Sequence, residues 1–138
     1  MKWQVAKWGT SFLHEYLDVL RITFFSAMEN LLVDGAERPD FPFVLIWSRE
    51  VVASGRARAI LTNAGNANAF TGDRGRETVQ QTSRALAKAL GVSADHILLA
   101  STGVIGEPLE AAKLSAYFPQ LVANQNASWD QAVGAILT

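Results

Sequence analysis

Hydrophobic and polar positions in the first third of the chain follow a helical pattern. Apolar residues recur every three or four positions over residues 11–32, and Gly35 is placed to end a helix there. Residues 34–42 then contain two prolines and charges of both signs, which is typical of a linker. The pattern therefore predicts an N-terminal helix and a linker over residues 1–42.

Shorter elements are predicted from residue 43 onward. A continuous apolar run favours a strand over residues 43–47, and the mixed pattern of residues 48–54 favours a short helix that Gly55 ends. A second strand is predicted over residues 57–61, where apolar side chains lead into a stretch rich in asparagine.

The second half of the chain continues this alternation of strands and helices. Alanine-rich sequence with an apolar face predicts a helix over residues 73–90, and a buried strand follows over residues 96–100. Pro108 suits the first turn of another helix, Pro119 is expected to break or restart that helix, and Ser128 begins a capping box that opens a last helix. These elements predict an α/β fold in which helices flank a sheet.

The composition excludes several classes of function. A hydrophobic fraction of 49% over 138 residues is enough to bury the core of one small domain. The net charge of −1 gives no electrostatic reason to expect a nucleic acid or a membrane as partner, and the absence of cysteine excludes thiol chemistry. His14 and His96 lie in apolar contexts without clustered carboxylates, so we expect no metal site and no cofactor. No secretory signal is evident, which favours a cytoplasmic location.

Two loops rich in small residues carry the candidate chemistry, and each follows an apolar run. The first, residues 61–72, contains Asn63, Asn66 and Asn68 around Gly65, and these residue types tolerate tight turns and hydrogen-bond to nearby backbone. We expect the three asparagines to hold the first loop through such bonds and to place it beside the second loop, and direct contact with a substrate is the less favoured alternative.

The second loop, residues 100–108, has the composition of an oxyanion hole. Ser101 and Thr102 supply hydroxyl groups, and Gly103 lacks a side chain that would keep a ligand oxygen from the backbone N–H groups. We expect the loop to follow a strand that ends near Ala100, with the Gly103 N–H free of strand and helix hydrogen bonds. The same residue types dominate ordinary turns, so composition alone leaves a simple strand-to-helix turn as the alternative.

The alternation of strand, loop and helix also raises a phosphate-binding βα module as an alternative, in which a loop would hold a phosphate at a helix N-terminus. Neither loop has the Gly-x-Gly-x-x-Gly spacing or the lysine of a P-loop. The spacing therefore disfavours this module.

The amino-acid sequences of both loops resemble those of the ornithine acetyltransferase family (ArgJ), the bifunctional glutamate N-acetyltransferases of arginine biosynthesis. One matching segment, residues 57–69, reads Ala-Arg-Ala-Ile-Leu-Thr-Asn-Ala-Gly-Asn-Ala-Asn-Ala, and the other, residues 98–109, reads Leu-Leu-Ala-Ser-Thr-Gly-Val-Ile-Gly-Glu-Pro-Leu. They occur in the family's order, joined by an amphipathic helix. The resemblance implies an ArgJ/DmpA-like fold for residues 43–138 and leaves residues 1–42 outside the family.

The resemblance also implies a reaction and its partners. Family members transfer acetyl from N-acetylornithine to glutamate through a threonine that self-cleavage places at the head of a β subunit. The oxyanion hole maps onto the Thr102 hydroxyl and the Gly103 backbone N–H, with Ser101 and Gly106 shaping the turn. The implied substrates are N-acetylornithine and glutamate, with acetyl-CoA left open as a further donor, and the implied assembly is an oligomer of αβ heterodimers.

This sequence departs from the family at both ends. The family segments that carry the nucleophile and the substrate-binding positions have no counterpart here, and residues 1–42 do not match. We therefore expect a fragment of the α-subunit region that is inactive alone, because an oxyanion hole without its nucleophile has no attack to assist. A non-enzymatic interaction domain or a truncated product is the alternative.

Overall fold

The computed structural model of this chain describes residues 3–7, 42–123 and 130. The elements in this part are β1 (Trp3–Lys7), α1 (Phe43–Ala53), β2 (Ala59–Asn66), α2 (Gly72–Leu90), β3 (Ile97–Val104), α3 (Ala111–Ser115) and α4 (Phe118–Ala123), with a 3₁₀ turn at Ala94–His96. The helix predicted for residues 11–32 lies outside the described residues. So do the linker, apart from Pro42, and the last helix, apart from Asp130.

The three strands form one sheet with β2 in the middle. β1 runs antiparallel to β2, with Val5 opposite Leu61, and β3 runs parallel to β2, with Leu99 opposite Leu61. Helix α2 lies in the crossover that joins β2 to β3, as a parallel pair requires. Because parallel strands point the same way, the C-terminal ends of β2 and β3 lie side by side.

The core of the described fold draws on β2, β3 and all four helices. Side chains of a strand point to opposite faces in turn, so alternate residues of β2 and β3 enter it. Its buried members are Val44, Ala59, Leu61, Val79, Leu86, Ala87, Ile97, Leu99, Leu109, Leu114 and Phe118. A smaller cluster of Val51, Ala57 and Leu98 packs with the partly buried Trp47 and Ile60.

One helix, α1, stands where a strand over residues 43–47 and a separate short helix were predicted, so that strand prediction is wrong. The buried residues of α1 are Val44, Ser48 and Val51, spaced by four and then three positions. The apolar run thus contains a helical face, which its continuous hydrophobicity conceals.

Helix α1 covers the outer edge of β3 through side-chain hydrogen bonds. The Trp47 indole N–H donates to the carbonyl oxygen of Ile97 (2.8 Å). The Ser48 hydroxyl accepts from the Leu99 N–H (3.0 Å) and donates to the Leu99 carbonyl oxygen (2.7 Å). Two side chains of one helix therefore take the place of a neighbouring strand along the first half of β3.

Several element boundaries differ from those predicted. β2 continues through Asn66 and β3 through Val104, so each strand includes part of a predicted loop. β1 adds a strand to a stretch predicted as helix and linker. These differences arise because strand pairing, a long-range interaction, extends segments whose local composition favours loops.

The helices predicted between residues 73 and 123 are found in the structure, with one change of boundary. The helix over residues 73–90 is confirmed, and Gly91 ends it in the left-handed conformation. The helix expected from Pro108 begins only at Ala111, whereas Pro119 lies in the first turn of α4, as expected for a restarted helix. Within the part of the chain that the structure describes, no helix has both the length and the hydrophobicity to cross a membrane.

Candidate functional site

The two segments predicted as loops lie side by side where β2 and β3 end. Strand register sets Ser101, Thr102 and Gly103 opposite Asn63, Ala64 and Gly65. Beyond the regular ladder, the Ala67 N–H donates to the Val104 carbonyl oxygen (2.9 Å), and the Gly106 N–H donates to the Ala69 carbonyl oxygen (2.9 Å). The backbones of the two segments are therefore hydrogen-bonded to each other as far as Ala69 and Gly106, which confirms their predicted proximity.

All three asparagines are buried and bonded to backbone groups, which confirms the structural role predicted for them. The Asn63 amide donates to the Asn66 carbonyl oxygen (2.6 Å). The Asn66 side chain accepts from the Asn68 N–H (2.7 Å) and donates to the Glu107 carbonyl oxygen (2.8 Å), so it links the first segment to the second. Asn68 donates to the Gly75 carbonyl oxygen (3.2 Å) and thereby ties the first segment to α2.

Ser101 faces a narrow cleft between the sheet and α2. Its hydroxyl donates to the Asn63 amide oxygen (2.5 Å). The polar residues that line this cleft are Asn63, Asn68, Thr78, Thr82 and Ser101. Since neighbouring residues of a strand point to opposite faces, the side chain of Thr102 lies on the other side of the sheet from this cleft.

Thr102 and Gly103 lie inside β3, so the predicted end of the strand at Ala100 is wrong. Both residues are exposed within the described part of the chain. Their exposure leaves the Thr102 side chain and the Gly103 backbone accessible at the surface.

The direction of the Gly103 amide follows from the hydrogen bonds on either side of it. Leu99 directs its N–H and C=O toward Ser48, at the outer edge of β3, whereas the Val104 carbonyl points to Ala67 at the end of β2. Backbone groups alternate between the two edges of a strand. We therefore expect Gly103 to share the outer edge with Leu99 and to direct its N–H away from β2. The absence of a strand or helix hydrogen bond from the Gly103 N–H stays a prediction.

Gly103 is held against β2 by backbone packing as well. Its φ is +128°, a value that side chains rarely allow. A Cβ at this position would lie against the Gly65 carbonyl carbon and 2.6 Å from the Asn66 nitrogen. Sequence reasoning missed this contact, because Gly65 and Gly103 are distant in the chain and only strand register brings them together.

Asp95 has a pKa that is lowered because the Ser93 side chain hydrogen-bonds its carboxylate, and it lies at the opposite end of β3 from Thr102 and Gly103. Among the described residues, no three side chains of histidine, cysteine, aspartate or glutamate are grouped to hold a metal ion. The arrangement offers a hydroxyl and a backbone N–H, and such donors can stabilise negative charge on a ligand oxygen.

Comparison with protein families supplies an independent view of this region. The model of the ArgJ family matches residues 43–138. The arginine biosynthesis bifunctional protein ArgJ of Mesorhizobium japonicum is 48% identical over 91 residues, which are 65% of this chain and 22% of that protein. The ArgJ protein of Geobacter sulfurreducens is 44% identical over 90 residues, which are 64% of this chain and 23% of that protein. The chain thus matches about a fifth of the length of these relatives.

Solved structures agree with the sequence matches. An ornithine acetyltransferase from Mycobacterium tuberculosis, complexed with ornithine, has a TM-score of 0.67 and 32% identity, and the match covers 74% of this chain and 57% of that one. The ArgJ protein of Bacillus halodurans has a TM-score of 0.53 and 31% identity, covering 56% of this chain and 41% of that one. The α/β arrangement of a small sheet flanked by helices is shared with both.

Proposed function

This chain belongs to the ArgJ family, and we propose on that basis that it forms part of an acetyltransferase of arginine biosynthesis. The reaction moves acetyl from N-acetylornithine to glutamate, with acetyl-CoA as a further donor left open. Support comes from relatives named for arginine biosynthesis and from a structural neighbour that holds ornithine. In this proposal the nucleophilic threonine belongs to a β subunit, and the chain contributes to an assembly of αβ heterodimers.

Thr102 and Gly103 form the oxyanion hole of that enzyme. Attack on the acetamide carbonyl of the donor leaves negative charge on its oxygen, and the Thr102 hydroxyl and the Gly103 N–H donate hydrogen bonds to it. Donors fixed in place before the reaction are typically worth about 3–4 kcal/mol of barrier. Thr102 and Gly103 are adjacent on β3 and both are exposed, so a ligand oxygen has access to both donors.

The observation that carries the proposal is the hydrogen bonding on either side of Gly103. The Val104 carbonyl pairs with Ala67 and the Leu99 N–H with Ser48, and in this proposal the Gly103 N–H points to the outer edge of β3. A glycine there lets a substrate oxygen approach without meeting a side chain. The segment is therefore held by one edge and offers its donor at the other.

Exposed apolar side chains at the same end of the sheet support the β subunit as partner. Phe70 and Ile105 are 62% and 61% exposed, and Val104 beside them is 57% exposed. Large apolar side chains exposed near one another in the chain and across the Gly106–Ala69 hydrogen bond are the kind of surface that a partner covers. A phosphate has less support, because neither segment has the Gly-x-Gly-x-x-Gly spacing or the lysine of a P-loop.

A chimeric enzyme tests this function. The matched 91-residue segment of the Mesorhizobium japonicum relative is replaced by the corresponding residues of this chain, and acetyl transfer from N-acetylornithine to glutamate is measured. We expect the chimera to turn over. Thr102→Ala in the chimera should lower kcat about 100-fold or more, the usual scale for one lost oxyanion donor, whereas Thr102→Ser, which keeps the hydroxyl, should stay within about tenfold of the parent.

Two results would overturn the proposal. A folded Thr102→Ala chimera with unchanged kcat would remove the oxyanion assignment. Acetyl transfer by the isolated chain would show that the nucleophile lies in these 138 residues and not in a β subunit. Circular dichroism of each variant establishes that a loss of rate is not a loss of fold.

A further inference from the structure

Asn63 bridges two backbone segments that flank Thr102 and Gly103. Its amide nitrogen donates to the Asn66 carbonyl oxygen (2.6 Å), and its amide oxygen accepts from the Ser101 hydroxyl (2.5 Å). The residue is only 4% exposed, so water does not compete for these bonds. The buried Asn63 side chain thus donates to a residue of β2 and accepts from a residue of β3.

Each partner of Asn63 adjoins one of the proposed oxyanion donors. Ser101 directly precedes Thr102 on β3. The backbone of Asn66, on β2, packs directly against Gly103, since a Cβ on that glycine would be 2.6 Å from the Asn66 nitrogen. A shift of either partner would therefore be passed to the strand segment that carries the Thr102 hydroxyl and the Gly103 N–H.

We infer that Asn63 is a positioning residue for the oxyanion hole, acting through Ser101 and Asn66 without touching the substrate. The inference rests on the proposed function of Thr102 and Gly103. An amide suits this role because it pairs a donor with an acceptor, whereas an ionised carboxylate has acceptors only. Misplacement of a catalytic donor by a fraction of an ångström is enough to reduce turnover.

The substitution Asn63→Asp makes the inference testable by pH. When protonated, the introduced carboxyl donates its O–H to the Asn66 carbonyl and accepts from Ser101, as the amide does. When ionised, it has no donor and sets a negative oxygen against the Asn66 carbonyl. Burial raises the pKa of this carboxyl above its ordinary value of about 3.9. The variant should therefore keep the hydrogen bonds to Asn66 and Ser101 at low pH and lose the bond to the Asn66 carbonyl as pH rises.

The readout is the backbone amide resonance of Gly103 in the full ¹⁵N-labelled chain. We expect that resonance in Asn63→Asp to coincide with that of the parent chain below the pKa of the introduced carboxyl and to move away above it. Asn68→Asp is the matched control, because Asn68 is an equally buried amide whose carbonyl partner, Gly75, lies on α2. Titration of Asn68→Asp should shift the backbone amide resonance of Gly75 and leave the resonance of Gly103 unchanged.

An unmoved Gly103 resonance across the titration of Asn63→Asp would overturn the inference. If that variant unfolds once ionised, Ser101→Ala replaces it, since this change removes only the bond to the Asn63 oxygen. The Gly103 resonance should shift there too, and its failure to shift in the folded variant would equally overturn the inference.

Kinetics in the chimera separate this inference from the proposed function. Asn63→Asp should lower kcat about tenfold or more at high pH, with KM unchanged, and the ratio of its kcat to the parent value should recover as pH falls. If Thr102→Ala slows the enzyme and Asn63→Asp does not at any pH, only the positioning role fails. If Thr102→Ala has no effect, the proposed function fails, whatever the Gly103 resonance shows.

Discussion

Gly103 is constrained by its backbone in two ways that are independent of any reaction. Its φ of +128° lies in a region that L side chains rarely adopt, and its Cα faces the backbone of Gly65 and Asn66 without room for a Cβ. The proposed catalytic role concerns a different part of the residue, its N–H. The identity of the residue and the direction of its amide therefore have separate physical causes.

Replacing Gly103 with alanine should destabilise the chain more than the same change at Gly106. Gly106 also has a positive φ, +83°, but a Cβ there would meet no atom within 4 Å. We expect Gly106→Ala to cost about 1–2 kcal/mol of unfolding free energy, from backbone strain alone. Gly103→Ala should cost about 2 kcal/mol more, because it adds a clash with backbone. Urea denaturation compares the two, and equal losses would contradict the close contact between β2 and β3.

The asparagine network could be predicted from residue types, whereas the glycine contact could not. Asn63, Asn66 and Asn68 are residues that bond to nearby backbone in turns, so their chemistry indicates their role. Gly65 and Gly103 carry no comparable signal, since a glycine in a loop fits many conformations. The direction of the Gly103 amide follows from strand register, a property that no single segment contains.

Helix α1 shows where hydrophobic pattern is ambiguous at the level of an element. A run such as residues 43–47 fits a buried strand or a buried helix, and length and flanking residues must decide between them. Ser48 interrupts the apolar run and suggested a boundary. In the structure it is buried on the helical face, because its hydroxyl satisfies both backbone groups of Leu99.

Removing the hydroxyl in Ser48→Ala should destabilise the chain. The change leaves the buried N–H and C=O of Leu99 without their partner, and each unsatisfied group costs about 1–3 kcal/mol. Ser115→Ala is the control, because the Ser115 hydroxyl bonds to Ala112 in an exposed position of α3. We expect a loss of about 2 kcal/mol or more for Ser48→Ala and less than about 0.5 kcal/mol for Ser115→Ala. Similar denaturation midpoints for the two variants would contradict the edge-covering role of α1.

Two threonines one turn apart on α2 should respond differently to the same substitution. The Thr78 hydroxyl donates to the Leu109 carbonyl oxygen (2.6 Å). The Thr82 hydroxyl is buried and has no hydrogen-bond partner among the described residues. Valine matches threonine in shape, so Thr78→Val should cost about 1–2 kcal/mol, whereas Thr82→Val should be neutral or stabilising by up to about 1 kcal/mol. Thermal melts test the pair, and a clear loss of stability in Thr82→Val would contradict the unpaired hydroxyl.

At the scale of the whole molecule, the sheet draws on a strand from outside the segment that matches the family. β2 lies between β1 and β3, but the match covers only residues 43–138. The resemblance therefore covers β2, β3 and the amphipathic helix between them, whereas residues 1–42 were predicted to lie outside the family as a helix and linker. β1 pairs Trp3–Lys7 with Ala59–Asn63 of β2 and so occupies the second edge of that strand.

Deleting residues 1–7 should therefore expose the edge of β2. Residues Ala59 and Leu61 are almost fully buried, and an apolar strand with unpaired N–H and C=O groups is a site for pairing with other chains. We expect the shortened chain to lose at least about 1 kcal/mol of unfolding free energy, the net scale of one backbone hydrogen bond, and to aggregate as its concentration rises. Deleting only residues 1 and 2 leaves β1 intact and should change neither property. Urea denaturation and light scattering measure both, and equal behaviour of the two deletions would show that β1 does not protect the sheet.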